Sequence, residues 1–259
     1  MTNAVPLAVL RSRIRRIERP ATAVSGVLPF GVAVLDRALP GGGLGLGALH
    51  EIVGEGGDEE DCAAAAGFAA GILARIGPGA VLWCLRRPDL YGPGLAAHGL
   101  DPARIVLVSA ARDDRVLWAL EEGLRAGRGA GLAAVVGEVG RLPMVAGRRL
   151  QLAAERAGVA ALVLRRWRSG GEAAAERGRP SAAATRWRVS SRPSAAVAGE
   201  PGIGRPRWRV ELLRCRGGRP AACEVEVADA TGHVCLPAGL ADRPAAAPRP
   251  AAGPLRRAG

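Results

Sequence analysis

His50-Glu-Ile-Val-Gly54-Glu-Gly-Gly-Asp58-Glu59-Glu60-Asp61-Cys62-Ala63 decides how this chain is read. On its left, Ala48 to Val53 is strand-like; on its right, Cys62 to Ile76 is an Ala-rich helix broken by Gly77-Pro78-Gly79. Strand, glycine-rich loop and helix in that order are the layout of a phosphate-binding loop. The chemistry of that loop needs a Lys to reach phosphates and a hydroxyl to hold magnesium. Counted from Gly54, the second Gly falls on Glu59, the Lys on Glu60 and the hydroxyl on Asp61. Four successive acids stand where a nucleotide would bring its own charges, and like charges at close range repel by roughly 1–4 kcal/mol per pair. Acids do suit a helix N-terminus, whose dipole they complement. The stretch therefore predicts a capped helix with no phosphate ligand. A cation or a basic peptide on the acids is the alternative.

Outward from this loop, short apolar runs alternate with helical patterns. Ala80–Leu85 reads as a strand buried on both faces, Ile105–Val108 as another buried strand, and Gly131–Val136 and Val159–Leu164 as further strands. Leu90–Gly99, Asp113–Ala126 and Pro143–Ala157 read as helices, the second with Val116, Leu117, Leu120 and Leu124 on one face. Strand and helix alternating with short connections predict an α/β fold with a mostly parallel sheet and flanking helices. Before the loop, Leu7, Leu10, Ile14 and Ile17 predict an amphipathic helix ended by Pro20. Val32–Leu39 predicts a second short helix, and Pro40–Gly47 a flexible turn. After Leu164 the pattern changes to an antiparallel β region, with strands expected at Thr185–Ser191, Trp208–Cys215, Cys223–Ala228 and His233–Leu236. The domain reading is a helical segment at 1–24, an α/β core at 25–168, a mobile loop at 169–184, a basic β region at 185–240 and a disordered tail at 241–259.

Charge divides the chain. All 36 basic residues are Arg and the net charge is +12. Residues 1–160 hold 18 Arg and 16 acids; residues 161–259 hold 18 Arg and 8 acids. A basic second half points to an acidic partner, with nucleic acid the leading candidate. No apolar run approaches the roughly 18 residues of a membrane span, and no secretory signal is legible, so a cytoplasmic protein is expected. The five Cys read as reduced thiols, and the irregular spacing of Cys215, Cys223, His233 and Cys235 does not read as a metal site.

The basic half repeats one form: Arg166-Trp167-Arg168, Arg186-Trp187-Arg188 and Arg207-Trp208-Arg209. In a strand, neighbours point to opposite faces. If the three triplets lie on neighbouring strands, the Trp residues enter a core and six guanidinium groups share one face, which Arg214, Arg216 and Arg219 extend. Arg166, Arg168, Arg186, Arg188, Arg207 and Arg209 are the candidate contacts for DNA phosphates or an acidic partner surface. The plainer reading of the same pattern is a core of Trp beneath a solvated Arg face.

The stretch Gly45-Leu-Gly-Ala-Leu-His-Glu-Ile-Val-Gly54 resembles the nucleotide-binding core of the RecA recombinase family, and most closely its damage-inducible mutagenesis branch, ImuA. Leu28-Pro-Phe-Gly, Val81-Leu-Trp-Cys, Arg87-Pro-Asp-Leu-Tyr91, Gly99-Leu-Asp-Pro-Ala-Arg104, the three Arg-Trp-Arg triplets and Asp229-Ala-Thr-Gly-His-Val carry the same likeness, which covers most of residues 7–240. The resemblance implies a RecA-like core. It also implies a role in damage-induced translesion synthesis. The implied partners are an ImuB-like Y-family protein, an error-prone polymerase subunit and RecA, with DNA a further candidate. By the same comparison the catalytic glutamate falls near Arg86, and the magnesium-holding Asp falls on Gly137, with Glu138 one residue off. With Gly54, Glu59, Glu60 and Asp61 as a degenerate loop, the expectation is a protein without catalysis or cofactor. The alternatives are a degenerate ATP-binding protein, or a regulator that inhibits RecA or cell division by binding.

Overall fold

The computed structural model describes residues 26–194 and 204–237, and of Asp58, Glu59 and Glu60 the backbone alone. The expected helix at 7–19 and tail at 241–259 lie outside these residues.

In chain order the elements are β1 (Val27–Leu28), α1 (Ala33–Asp36), β2 (Leu44–Gly45), β3 (Leu49–Gly54), α2 (Asp58–Arg75), β4 (Ala80–Leu85), α3 (Gly92–Ala97), β5 (Ile105–Ser109) and α4 (Asp113–Ala126). They continue as β6 (Leu132–Val139), α5 (Met144–Ala157), β7 (Ala160–Arg165), α6 (Gly170–Arg177), β8 (Thr185–Arg192), β9 (Arg207–Cys215) and β10 (Ala221–Glu226). Eight strands form one sheet in the order β10-β9-β8-β3-β7-β6-β4-β5. Pairings from β8 through β5 are parallel, and β8–β9 and β9–β10 are antiparallel. The chain is an α/β protein with a mainly parallel sheet and an antiparallel edge, as its pattern of apolar runs predicts.

Each buried strand feeds two cores because its side chains alternate. Ile52, Trp83, Val136, Leu162 and Trp187 enter the face covered by α2, where Phe68 lies. Leu49, Cys84, Val135, Ala161 and Val163 enter the opposite face, against Val116 and Leu120 of α4 and Leu150 of α5. The first core is centred on aromatic rings: Phe30 and Trp187 sit 5.1 Å apart, Phe68 and Trp187 5.7 Å, and Phe68 and Trp208 6.5 Å. Tilted and edge-to-face pairs of this kind add about 0.5–1.5 kcal/mol each beyond their burial. His50 is buried on this face. Its Nδ1 lies 2.8 Å from Thr185 Oγ1 and its Nε2 2.7 Å from the Gly45 carbonyl. Burial lowers its pKa to about 4.

Five expectations change in detail. Ile105–Val108 is not a buried strand: β5 is the edge of the sheet, with Val106 50% and Leu107 58% exposed. Residues 169–184 hold the helix α6 instead of one continuous mobile loop. Ser169 Oγ accepts from the Glu172 N–H at 3.3 Å, and Glu172 Oε2 accepts from the Arg168 N–H at 2.8 Å. Ser169 is the N-cap, and Glu172 reaches back past it to the preceding residue's N–H; the two side chains together start the helix despite Gly170 and Gly171. Residues 40–47 contain a helical turn at Pro40–Gly42 and β2, which pairs antiparallel with β1. His233–Leu236 is no strand; it is reduced to one bridge between Glu226 and Cys235. Glu138 lies within β6 rather than beyond its end, which changes where it points.

Candidate functional site

The loop from Gly54 to Gly57 joins β3 to α2, where the sequence places a degenerate phosphate loop. Its backbone is closed by a side chain of the same helix. Asp61, buried in the first turn of α2, accepts at Oδ2 from the Glu55 N–H at 3.1 Å and the Gly56 N–H at 3.0 Å. Its Oδ1 accepts from the Ser191 N–H on β8 at 3.0 Å. The loop amides that would face a phosphate thus face an internal carboxylate. The loop folds tightly onto the helix: a Cβ on Gly54 would lie 2.8 Å from Asp61 Cβ. The cap of α2 is therefore not a row of four equivalent acids. Gly57 is the N-cap residue and makes no side-chain cap bond, while Asp61 reaches back to the loop. Arg177 of α6 donates to the Glu55 carbonyl, and Arg192 lies 3.3 Å from the Glu55 carboxylate.

Beside this loop is a buried charge cluster that sequence reasoning did not anticipate. Glu51, fully buried in β3, receives Arg165 Nη1 at 2.6 Å and Arg186 Nε at 2.9 Å. Arg165 also donates to Glu176 of α6 at 2.9 Å and to the Gly140 carbonyl at 2.7 Å. Burial alone would raise the Glu51 pKa, but Arg186 and Arg165 outweigh it and hold the carboxyl below its ordinary value. The available signal was alternation: Glu51 and Val53 share a sheet face with Arg165 and Arg186.

The six candidate Arg residues do not share one face. Residues 166–168 follow β7 and leave the sheet. Arg166 pairs with Asp89 at 2.8 Å and Glu138 at 2.6 Å, while Trp167 is buried with Val53 and Ala173 and donates to the Gly140 carbonyl at 3.0 Å. Arg168 is exposed. Alternation does hold on β8 and β9, where Arg186, Arg188, Arg207 and Arg209 lie opposite Trp187 and Trp208. Even there carboxylates neutralise the face: Glu51 takes Arg186, and Glu211 takes Arg188 at 2.6 Å and Arg209 at 3.4 Å. Arg216, which was to extend the face, pairs with Glu155 at 2.8 Å.

A cavity of about 400 Å³ opens at the C-terminal ends of β4, β6 and β7. This is a switch point of the sheet, because the chain leaves β4 and β6 in opposite directions. Arg86, the residue near the catalytic-glutamate position, is held by Asp113 at 2.9 Å. The same Asp113 accepts from the Gly140 and Arg141 N–H groups at 3.2 and 2.9 Å. Gly137 faces α4, where a Cβ would lie 2.4 Å from Leu120 Cδ1. Glu138, one residue off the magnesium-holding position, is on the other face, beneath α2 and near Cys62 and Ala66. It is occupied there: Trp83 Nε1 donates to Oε1 at 2.8 Å, and Arg166 donates to Oε2. Burial raises the Glu138 pKa despite Arg166.

Glu51 and Glu138 therefore respond to pH in opposite directions. A carboxyl whose folded pKa is raised contributes a cost that grows as pH rises through the interval between its unfolded and folded values. Glu138→Gln keeps an acceptor for Trp83 and removes that cost. Its stability at neutral pH is expected to change by about 1 kcal/mol or less, measured by urea unfolding. None of the five Cys forms a disulfide, and burial pushes the Cys84 thiol up to about 12 and the Cys223 thiol up to about 11. Such thiols are poor nucleophiles at neutral pH.

No family model matches the chain. It is 42% identical over 213 residues to Protein ImuA of Caulobacter vibrioides strain NA1000 / CB15N, a match covering 80% of the chain and 85% of that relative. The identity and coverage are the same against Protein ImuA of Caulobacter vibrioides strain ATCC 19089 / CIP 103742 / CB 15.

Proposed function

This chain belongs to the ImuA family, and from that premise we propose that it is a non-catalytic, RecA-like accessory protein of damage-induced translesion DNA synthesis. It works by docking an ImuB-like Y-family protein, an error-prone polymerase subunit and RecA. One observation carries the absence of catalysis: the loop amides that would bind a triphosphate already bind the Asp61 carboxylate. Two others support it. Arg86 stands near the position of the water-activating glutamate and is tied to Asp113, and Glu138 is spent on Trp83 and Arg166. What remains is a rigid sheet with charged outer surfaces, which is material for holding partners.

DNA enters this reading as an auxiliary contact, through exposed Arg168. Arg186, Arg188 and Arg209 are expected to add little, since all three are already paired with carboxylates. Phosphate contacts of this kind weaken steeply with salt.

Co-expression of the full chain with an ImuB-like protein tests the docking reading. The expected result is a complex that survives size-exclusion chromatography and shows no ATP hydrolysis above background. Failure to form any complex with the polymerase proteins or RecA would overturn it.

A further inference from the structure

We propose that the groove between α4 and α5 is a docking site for an acidic, amphipathic helix of a partner protein. The proposal rests on the docking reading above and gives one of its contacts a place and a chemistry. The two helices lie side by side on the sheet face opposite α2 and are joined by Arg149 and Glu121. On α5, Val145, Arg149, Leu152 and Arg156 fall at successive helical turns and form one outward stripe. Three large apolar side chains stand in water along the pair: Trp118 is 58% exposed, Val145 70% and Leu152 51%. Single exposed apolar residues are ordinary, but three along one helix pair mark an interaction surface.

The charge along the groove selects the occupant. A depression of about 550 Å³ at its C-terminal end is lined by Arg125, Arg128, Arg149 and Arg156 around Leu152. The acid lining it is Glu121, whose two oxygens hold Arg125 and Arg149, and Arg125 also pairs with Glu122; among the described residues Arg128 and Arg156 carry the groove's charge without a carboxylate. A positive groove with an apolar stripe fits an amphipathic helix whose polar side carries carboxylates. The terminal segments of this chain do not match. Residues 1–25 hold five Arg against Glu18, and residues 238–259 hold four Arg against Asp242. A nucleic acid strand would satisfy the Arg residues but gain nothing from burying Val145 and Leu152, so the surface favours protein.

Fluorescence anisotropy with the full chain decides the matter. The probe is a labelled, designed helical peptide with Leu every three to four residues and Glu between; its Glu→Lys counterpart and an oligothymidylate of matched length are the comparisons. The acidic peptide is expected to bind and the Lys peptide not. Trp118→Ser and the double variant Arg128→Glu/Arg156→Glu should each weaken the acidic peptide by about tenfold or more. Both variants alter exposed residues, and circular dichroism melting checks that each stays folded. Acidic-peptide binding that is absent, unchanged in the variants, or matched by the Lys peptide overturns the proposal. Oligothymidylate binding in place of the peptide also overturns it and assigns the groove to nucleic acid. The peptide is not one of the polymerase partners, so this failure is separate from a failure of the docking reading.

Discussion

Arg165→Met is expected to destabilise the fold by about 3–5 kcal/mol, because it leaves a buried carboxylate short of a partner. Three groups lose the same donor: Glu51 in β3, Glu176 in α6 and the Gly140 carbonyl. Arg186 still holds one Glu51 oxygen, so the charge is reduced in support but not abandoned. The effect should reach α6, whose hold on the sheet includes the Glu176 pair. Urea unfolding gives the magnitude, and hydrogen exchange over 170–177 gives the local consequence. The double variant Arg165→Met/Glu51→Gln should cost less than the sum of its parts, since it removes the stranded charge together with its partner. The pH dependence has a definite sign. The Glu51 pKa is lowered in the fold. Its contribution is therefore present above the unfolded carboxyl value and lost as pH falls through the folded one. Arg165→Met should shrink that acid-dependent part. His50 acts in the same direction at higher pH: it is buried neutral, and its support is lost as pH falls from about 6.5 toward its folded value. It acts equally in both proteins, so comparing the variant with the parent isolates Glu51.

Asp61→Ala is expected to cost about 2–4 kcal/mol, because hydrogen bonds to a charged acceptor contribute roughly 1.5–3 kcal/mol and their loss strands buried donors. One carboxylate joins three elements: the loop after β3, the first turn of α2 and the end of β8. Removing it should raise hydrogen exchange at the Glu55, Gly56 and Ser191 amides above all others. Asp61→Asn separates charge from shape, since its one carbonyl oxygen can keep part of the loop pairing; it should fall between the parent and Asp61→Ala. A variant as stable as the parent, with those three amides still protected, would show that the carboxylate does not organise the loop.

The sheet and its helices were legible because buried parallel strands are continuous apolar runs, as in Ala80–Leu85 and Ala160–Leu164. α6 was hidden by composition: Gly170 and Gly171 argue against a helix, while the capping pair Ser169 and Glu172 argues for one, and the pair wins. At the loop, the acids of 58–61 argue against phosphate on charge grounds, but only the fold shows that Asp61 turns inward to bind the loop amides. The Arg-Trp-Arg pattern was legible where it falls on strands and misleading where it does not. Triplets 186–188 and 207–209 alternate on β8 and β9, whereas 166–168 begins after β7 has ended. The carboxylates that neutralise them, Glu51 and Glu211, lie 135 and 23 residues from the Arg they hold, distances over which a charge count along the chain says nothing about pairing. Glu138 was displaced by the strand boundary: β6 runs to Val139, and that extension puts Glu138 beneath α2.

Calorimetric titration of the purified chain with magnesium and ATP probes most directly the idea that an aspartate has taken the seat of the phosphate. The account predicts no heat of binding and no shift in melting temperature at millimolar nucleotide. Saturable binding, accompanied by slowed exchange at the Glu55 and Gly56 amides, would contradict it.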